Sequence, residues 1–218
     1  MVFIKKDITD NLEFTPKNFE YFVGQIPLKD SPKNQIWKIL EESKRLPAAL
    51  RGYHGPYGGG LFDHTLLVTN FVYQIRDNPK ILENYIDWLE EKRVDVSDNY
   101  NDLDLPKAIQ TAIYHDFGKV PYYGFKKKLK IRRIYTNIAQ RQEASREIKK
   151  KWKYRGNDSH VDECIAVLKR YYLPFDDEIC QAIIFHHGKW SKYKPFEPTK
   201  LSELIHVADM IASQFYKI

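Results

Sequence analysis

Apolar residues recur every three to four positions along most of the chain, which is the spacing of amphipathic helices. The alternation typical of strands is nearly absent. Residues 19–23 are the exception: their pattern fits either a short strand or a packed arm, and the sequence does not decide between them. The pattern therefore predicts an all-α fold. Predicted helices begin near Ser31, Asp63, Ile81, Pro106, Asn137, Ser159, Asp176 and Lys200.

A glycine-rich stretch from Leu50 to His64 interrupts this helical pattern. Five glycines and a proline fall between Gly52 and Gly60, a density that neither a helix nor a central strand accepts. We expect an irregular loop that leads into the second helix of the pattern.

The segment A-I-Y-H-D-F-G-K-V, residues 112–120, holds the most distinctive polar pair of the chain. His115 and Asp116 follow a buried helix end, and Gly118 is expected to break the helix there. At a fraying last turn an imidazole and a carboxylate can reach one point, where they suit a divalent metal. Lys119 would add a cation where a phosphate could lie. A hydrogen-bonded core pair is the alternative reading.

The other histidines stand mainly at predicted helix ends. His64 lies near the start of one helix, His160 opens another, and His186-His187 closes a third just before a glycine. Asp209 lies within the last helix. Helical bundles build metal sites from such side chains on facing helices, so the positions predict a metal centre.

Five segments together resemble a known family, the HD-domain metal-dependent phosphohydrolases. They are G-G-G-L-F-D-H-T-L (58–66), A-I-Y-H-D-F-G-K (112–119), S-H-V-D-E-C-I-A-V-L-K (159–169), A-I-I-F-H-H-G-K (182–189) and H-V-A-D-M-I-A (206–212). They come in the family's order. The glycine-rich approach to His64 and the H-H-G-K stretch (186–189) look most like the branch with 3′-to-5′ exoribonucleases and relaxase-associated HD domains. The resemblance implies an HD-domain helical bundle carrying a basic, helical insertion over about 122–156. It covers most of the chain from about residue 45, which divides the chain into an N-terminal arm with a first helix (1–45) and a main domain (46–218).

Carried over residue by residue, the resemblance implies one metal bound by His64, His115, Asp116 and Asp209. His160 and His186, with His187, match the positions that hold a second metal, and Asp116 would bridge the two. A rival alignment places Gln142 where His160 is expected and leaves one metal. Mixed imidazole and carboxylate ligation favours Mn²⁺, Fe²⁺, Co²⁺ or Ni²⁺, with Mg²⁺ possible.

The implied reaction is phosphoester hydrolysis by a metal-activated water. Asp116 and Lys119 are the expected catalytic residues, the lysine offsetting charge on the phosphoryl oxygens. A nucleotide phosphohydrolase and a binding module with a structural metal are the alternative functions.

Charge favours a nucleic-acid substrate. Residues 122–155 hold 13 Lys or Arg against two Glu, which is a net charge of +11. The whole chain has a net charge of +6, so the rest of it carries −5. Aromatic residues alternate with these cations, as expected of a single-strand binding groove; a solvated helix face is the alternative. The candidate substrate-binding residues are Lys119, Arg51, Tyr53, His54, Lys126, Lys127, Lys128 and Arg141.

Two further features bear on the compartment. The two cysteines fall within helical patterns and predict reduced thiols, and the first ten residues lack the apolar stretch of a signal peptide. The longest uncharged apolar stretch is too short to span a bilayer. We therefore expect a cytoplasmic protein that does not enter the membrane; the sequence predicts no oligomeric state.

Overall fold

A computed structural model describes residues 12–49, 54–126, 153–154, 159–191, 193–194 and 198–215 of the chain. Within these ranges nine α-helices follow one another, with 3-10 turns at Pro79–Asn84 and Gly188–Trp190. The helices are α1 Phe19–Gln25, α2 Asp30–Ser43, α3 Gly60–Asp77, α4 Ile86–Glu91, α5 Leu105–Tyr114, α6 Lys119–Lys126, α7 Ser159–Arg170, α8 Asp177–Phe185 and α9 Lys200–Phe215. The predicted all-α class is confirmed.

Helix α3 is the centre of the bundle. Its residues from Gly60 to Val72 are all buried, polar ones such as His64 and Asn70 included, because other helices pack on several sides of it. Helices α5 and α9 pack along it, and α8 packs against α9. Phe22 of α1 and Ile36 of α2 are buried in the same apolar cluster, so helices on both sides of the suggested boundary at residue 45 share one core.

Side-chain caps fix three of the helix starts that the sequence predicts. Asp104 Oδ1 accepts a hydrogen bond from the Lys107 amide at 3.2 Å at the start of α5. Asp176 Oδ1 accepts from an amide of the first turn of α8 at 2.9 Å, and Thr199 Oγ1 accepts at 3.1 Å at the start of α9. These oxygens satisfy amides that no helical carbonyl can reach.

Several elements differ from the pattern-based expectation. Residues 19–23, for which the sequence allowed a strand or an arm, are part of helix α1. Helix α2 begins at Asp30, after the cap residue Lys29, rather than at Ser31. Helix α3 begins at Gly60, three residues before Asp63, because the last glycine of the loop takes helical geometry. The single helix expected from Ile81 is divided at Tyr85, where a 3-10 turn precedes α4.

A helix that starts at Lys119 and two short strands were not predicted. Helix α6 begins only one residue after Gly118, and its proline lies in the first turn, where a missing amide hydrogen is harmless. Two-residue strands, β1 Lys153–Tyr154 and β2 Tyr193–Lys194, pair antiparallel. The helix predicted over 137–152 lies outside the described residues.

Both cysteines are free thiols, as expected. Cys164 is buried in α7 and its thiol donates a hydrogen bond to the Tyr114 carbonyl at 3.0 Å, which links α7 to the end of α5. Across the described residues, the helices are too short or too polar for any of them to cross a lipid bilayer.

Candidate metal centre

The chain brings the histidines and aspartates of five segments to one buried point. His64 comes from the first turns of α3, and His115 and Asp116 come from the turn between α5 and α6. His160 lies in the first turn of α7, the pair His186-His187 directly follows α8, and Asp209 lies in α9. All seven residues that the resemblance implies as metal ligands are therefore neighbours in the folded chain.

Asp116 is the centre of this cluster, and its two oxygens face different histidines. Oδ2 lies 3.4 Å from Nε2 of His115 and 3.7 Å from Nε2 of His64. Oδ1 lies 3.8 Å from Nε2 of His186 and 4.0 Å from Nε2 of His160. One carboxylate is thus positioned between two groups of imidazole nitrogens.

Asp209 extends the first of these groups. Its Oδ1 lies 2.8 Å from Nε2 of His64, and this contact joins the middle of α9 to the first turns of α3. The pKa of Asp209 lies well below its usual value: burial alone would raise it, but His64 and the other imidazoles outweigh burial. The aspartate is therefore an anion that faces a cluster of nitrogen donors.

Backbone hydrogen bonds set the direction of two imidazoles. Nδ1 of His115 lies 2.6 Å from the Ala112 carbonyl, and Nδ1 of His186 lies 2.6 Å from the Ile183 carbonyl. Because a carbonyl only accepts, the proton of each neutral ring is assigned to Nδ1. The lone pair of Nε2 then points at Asp116, which is the orientation that a metal ligand needs.

A second group of ligand atoms belongs to His160, His186 and His187. One ligand atom of each lies within 4.8 Å of the other two, and the rings of His160 and His187 have centroids 4.9 Å apart. The structure thus brings His160 to the position that the resemblance assigns to it. Gln142, the alternative, lies outside the described residues.

Gly118 makes this arrangement possible. A Cβ atom at this glycine would lie 1.7 Å from the His160 carbonyl oxygen and 2.5 Å from the Cys164 amide nitrogen. The turn that carries His115 and Asp116 therefore touches the backbone of α7 directly. The sequence suggested that Gly118 ends a helix; its position shows that it also allows the two segments to approach.

Among the described residues, Lys119 is the only lysine or arginine that forms an ion pair with Asp116. Its ammonium lies 2.6 Å from Asp116 Oδ2, and the side chain is nearly buried. Burial opposes the charge, but Asp116 and Asp209 outweigh it and raise the pKa of Lys119. Burial also opposes the charged form of Asp116 and would raise its pKa, but Lys119 and His115 outweigh burial and hold the pKa of Asp116 well below its usual value.

The donor set fits divalent metal ions. Among the described residues, Nε2 of His115, Nε2 of His186 and Oδ1 of Asp116 are buried and have no hydrogen-bond partner. Orphaned buried acceptors of this kind are costly unless a cation or a donor satisfies them. Two groups, His64 with His115 and Asp116, and the three histidines above, each offer three ligand atoms close together.

His206 contributes to the centre in a way that its sequence position did not reveal. Its Nδ1 lies 2.7 Å from the His186 carbonyl, and its ring fills the space beside Gly188. A Cβ at Gly188 would lie 2.2 Å from His206 Nε2, and the glycine has a φ of +52°. His206 therefore supports the loop that carries His186 and His187. The H-x-x-D spacing to Asp209 was the available signal.

The predicted substrate-binding residues fall into two sets. Lys119 lies at the centre, and His54 lies against it: the ring centroids of His54 and His64 are 4.5 Å apart. Lys126 is the last residue of α6. The others lie outside the described residues, and they are Arg51, Tyr53, Lys127, Lys128 and Arg141.

A helical bundle with a buried cluster of histidines around a shared aspartate defines a metal-dependent hydrolase class. The sequence model of the family described as HD domain matches residues 61–213, well over half of the chain. The chain belongs to the HD-domain family, whose superfamily consists of metal-dependent phosphohydrolases that act on phosphoesters. Comparison with curated proteins and with solved structures finds no match to this chain.

Proposed function

We propose that this protein is a phosphodiesterase that cleaves single-stranded RNA or DNA with two divalent ions of Mn, Fe, Co or Ni, or of Mg. The observation that carries the proposal is the position of Asp116, whose two oxygens face two separate groups of imidazole nitrogens. When bound, such ions activate water as a nucleophile and offset the charge of the phosphoryl oxygens.

The protein residues have distinct roles in this proposal. His64, His115 and Asp209 would hold one ion, His160, His186 and His187 would hold the other, and Asp116 would be shared by both. The backbone hydrogen bonds of His115 and His186 keep both Nε2 atoms directed at Asp116. Lys119 binds a phosphoryl oxygen, because its buried ammonium keeps its charge beside the two aspartates.

The connectivity of the basic segment supports a nucleic-acid substrate. Helix α6 starts at Lys119, so the segment leaves the metal centre at the proposed phosphate ligand. It returns through β1, which pairs with β2 a few residues after His187, and the chain then enters α7 at His160. Both ends of the +11 segment are therefore joined to the centre. In this arrangement Arg51, Tyr53, Lys126–Lys128 and Arg141 contact the phosphates and bases.

The first experiment measures metal content and hydrolysis together. Wild type and the double variant His115→Ala/Asp116→Ala are compared with Mn²⁺ on single-stranded RNA and DNA, on nucleotides and on bis-p-nitrophenyl phosphate. We expect wild type to bind about two ions per chain and to hydrolyse the substrate, and we expect the double variant to lose this hydrolysis. One ion per chain would favour the Gln142 alignment. Absence of both metal and turnover would overturn the enzyme proposal.

The second experiment tests the substrate. Lys126–Lys128 and Lys149–Lys151 are changed to Gln, and the matched control changes the exposed lysines Lys29, Lys38 and Lys80 to Gln. Neutralising the basic segment should abolish cleavage of oligonucleotides, weaken the salt dependence of binding and spare bis-p-nitrophenyl phosphate. Equal activity on oligonucleotides after this change would contradict the substrate proposal, and a preference for mononucleotides would favour a nucleotide phosphohydrolase.

A cytoplasmic location stays a prediction from the sequence.

A further inference from the structure

His54 occupies an unusual position for a residue of a glycine-rich loop. Its ring stacks on that of His64 at an interplanar angle of 33°, with the centroids 4.5 Å apart. Its Nε2 atom is buried, and the described residues offer it no hydrogen-bond partner. A polar atom in this state is costly unless a cation or a donor reaches it.

The ligand atoms around His54 form a third group. One ligand atom each of His54, His64 and Asp209 lies within 4.8 Å of the other two. His64 and Asp209 already belong to the ligands of the first proposed ion. Opposite ligands of an octahedral ion with bonds of about 2.1 Å lie roughly 4.2 Å apart, and adjacent ones lie closer. The ligand atoms of the three side chains are therefore close to the spacing that one shared ion requires.

The loop that carries His54 is built to hold it there. Gly55 has a φ of +53°, and its carbonyl accepts a hydrogen bond from the Ala48 amide at 2.9 Å. A Cβ at Gly60 would lie 2.1 Å from that same carbonyl, so the loop is seated directly on the start of α3. His54 is thus fixed relative to His64, which lies one turn further along α3.

We propose that His54 is a fifth protein ligand of the metal ion held by His64, His115, Asp116 and Asp209. This inference rests on the metal centre of the proposed function, and it replaces the substrate contact that the sequence suggested for His54. A third imidazole makes this position richer in nitrogen. It therefore favours Fe²⁺, Co²⁺ or Ni²⁺ over Mn²⁺ and Mg²⁺ at this position. With five protein ligands, an octahedral ion keeps one place for water or substrate.

Burial supports the ligand role. The Nε2 atom of His54 is buried beside the ring of His64, where a metal ion shared with His64 can reach it and bulk solvent cannot. A histidine that recognises a phosphate would instead need to be protonated or to present an N–H to solvent.

The test measures metal binding rather than turnover. Wild type, His54→Ala and His54→Gln are stripped of metal and titrated with Co²⁺ and with Mn²⁺ against a competing chelator, while the visible absorption of bound Co²⁺ is recorded. We expect one of two sites to lose at least about tenfold in Co²⁺ affinity, with a smaller loss for Mn²⁺ and a changed Co²⁺ spectrum. The other site should keep its affinity.

A control in the same loop separates ligation from loop stability. Tyr57→Phe removes the 2.8 Å hydrogen bond from Tyr57 to Asp63 but no candidate ligand, and it should leave Co²⁺ affinity and spectrum unchanged. Thermal unfolding of the metal-free proteins checks that the His54 variants fold.

Each outcome bears on the inference separately from the proposed function. Folded His54 variants with wild-type affinity and spectrum would overturn the ligand role while leaving the metal centre intact. Normal metal binding with weakened oligonucleotide binding would overturn it in favour of a substrate contact. A wild type that binds no metal would overturn both proposals.

Discussion

Replacing Gly118 with alanine tests how closely the two halves of the metal centre approach. The added Cβ would lie 1.7 Å from the His160 carbonyl oxygen, whereas carbon and oxygen in contact stay about 3.3–3.6 Å apart. The turn and helix α7 must therefore separate by about 1.5 Å or more. Ligand distances in metal sites tolerate only about 0.2 Å, so His160 would leave the second ion.

The expected result has a metal readout and a stability readout. Gly118→Ala should weaken the second site more than the first, because the change separates His160 from Asp116, whereas His64 and Asp209 lie on α3 and α9 and not on α7, which Gly118 touches. Overpacking of this kind costs about 1–3 kcal/mol of unfolding free energy. For a chain of about 200 residues, that loss corresponds to a fall in Tm of roughly 3–10 °C.

The assay combines metal quantification by mass spectrometry with thermal unfolding of the metal-free protein. Gly24→Ala is the matched control, because nothing lies within 4 Å of a Cβ at this position in α1. This control should keep both ions and gain about 0.5–1 kcal/mol, since alanine is the better helix former. A Gly118→Ala variant with wild-type Tm and two ions would refute the proposed close approach.

Three further predictions concern stability. Asp176→Ala removes the cap of α8 and should cost about 1 kcal/mol of unfolding free energy in urea. Burial would raise the pKa of Asp176, but the capped amide and Lys107 outweigh burial and lower it, so the charged carboxylate stabilises the fold above the unfolded pKa near 4. The stability advantage of wild type over Asp176→Asn should therefore vanish as the pH falls through the lowered pKa of the folded state. Tyr100→Phe removes the part-buried 2.6 Å hydrogen bond from the Tyr100 hydroxyl to Glu203 and should cost about 1–3 kcal/mol, while the exposed control Tyr172→Phe should stay within about 0.5 kcal/mol. Equal losses of unfolding free energy in the two variants would contradict a stabilising role for this hydrogen bond. Mn²⁺ at 100 times its Kd should stabilise the stripped protein by about 2.7 kcal/mol in thermal unfolding, and an unchanged Tm would argue against metal binding to the folded state.

The sequence was informative about the centre because its ligands stand at helix ends. His115-Asp116 and His186-His187 each follow an apolar helix and precede a glycine, a local pattern that can be read without the fold. Helix periodicity then predicted helices that begin near Pro106, Asp176 and Lys200, and each of these starts has a side-chain cap in the structure. The family resemblance supplied which of the scattered residues meet.

Other features depend on contacts between distant segments and leave little local signal. Gly118 touches α7 across the basic segment, which no helix-breaking rule reveals. His206 supports the His186 loop through a backbone carbonyl, and His54 stacks on His64 from within an irregular loop. The start of helix α6 at Lys119 was not predicted, because Gly118 was expected to end a helix and nothing in the local pattern indicated a new one directly after it.

The pairing of Asp209 with His64 links the centre to the order in which the chain folds. The two residues belong to α9 and α3, so the ligand set closes only when the C-terminal helix docks on the central one. Closing so long a loop is entropically costly, and partial opening of α9 is the direct way to break the set. A bound ion should therefore slow hydrogen exchange in α9 and α3 together, and ion release should follow the opening rate of this helix pair.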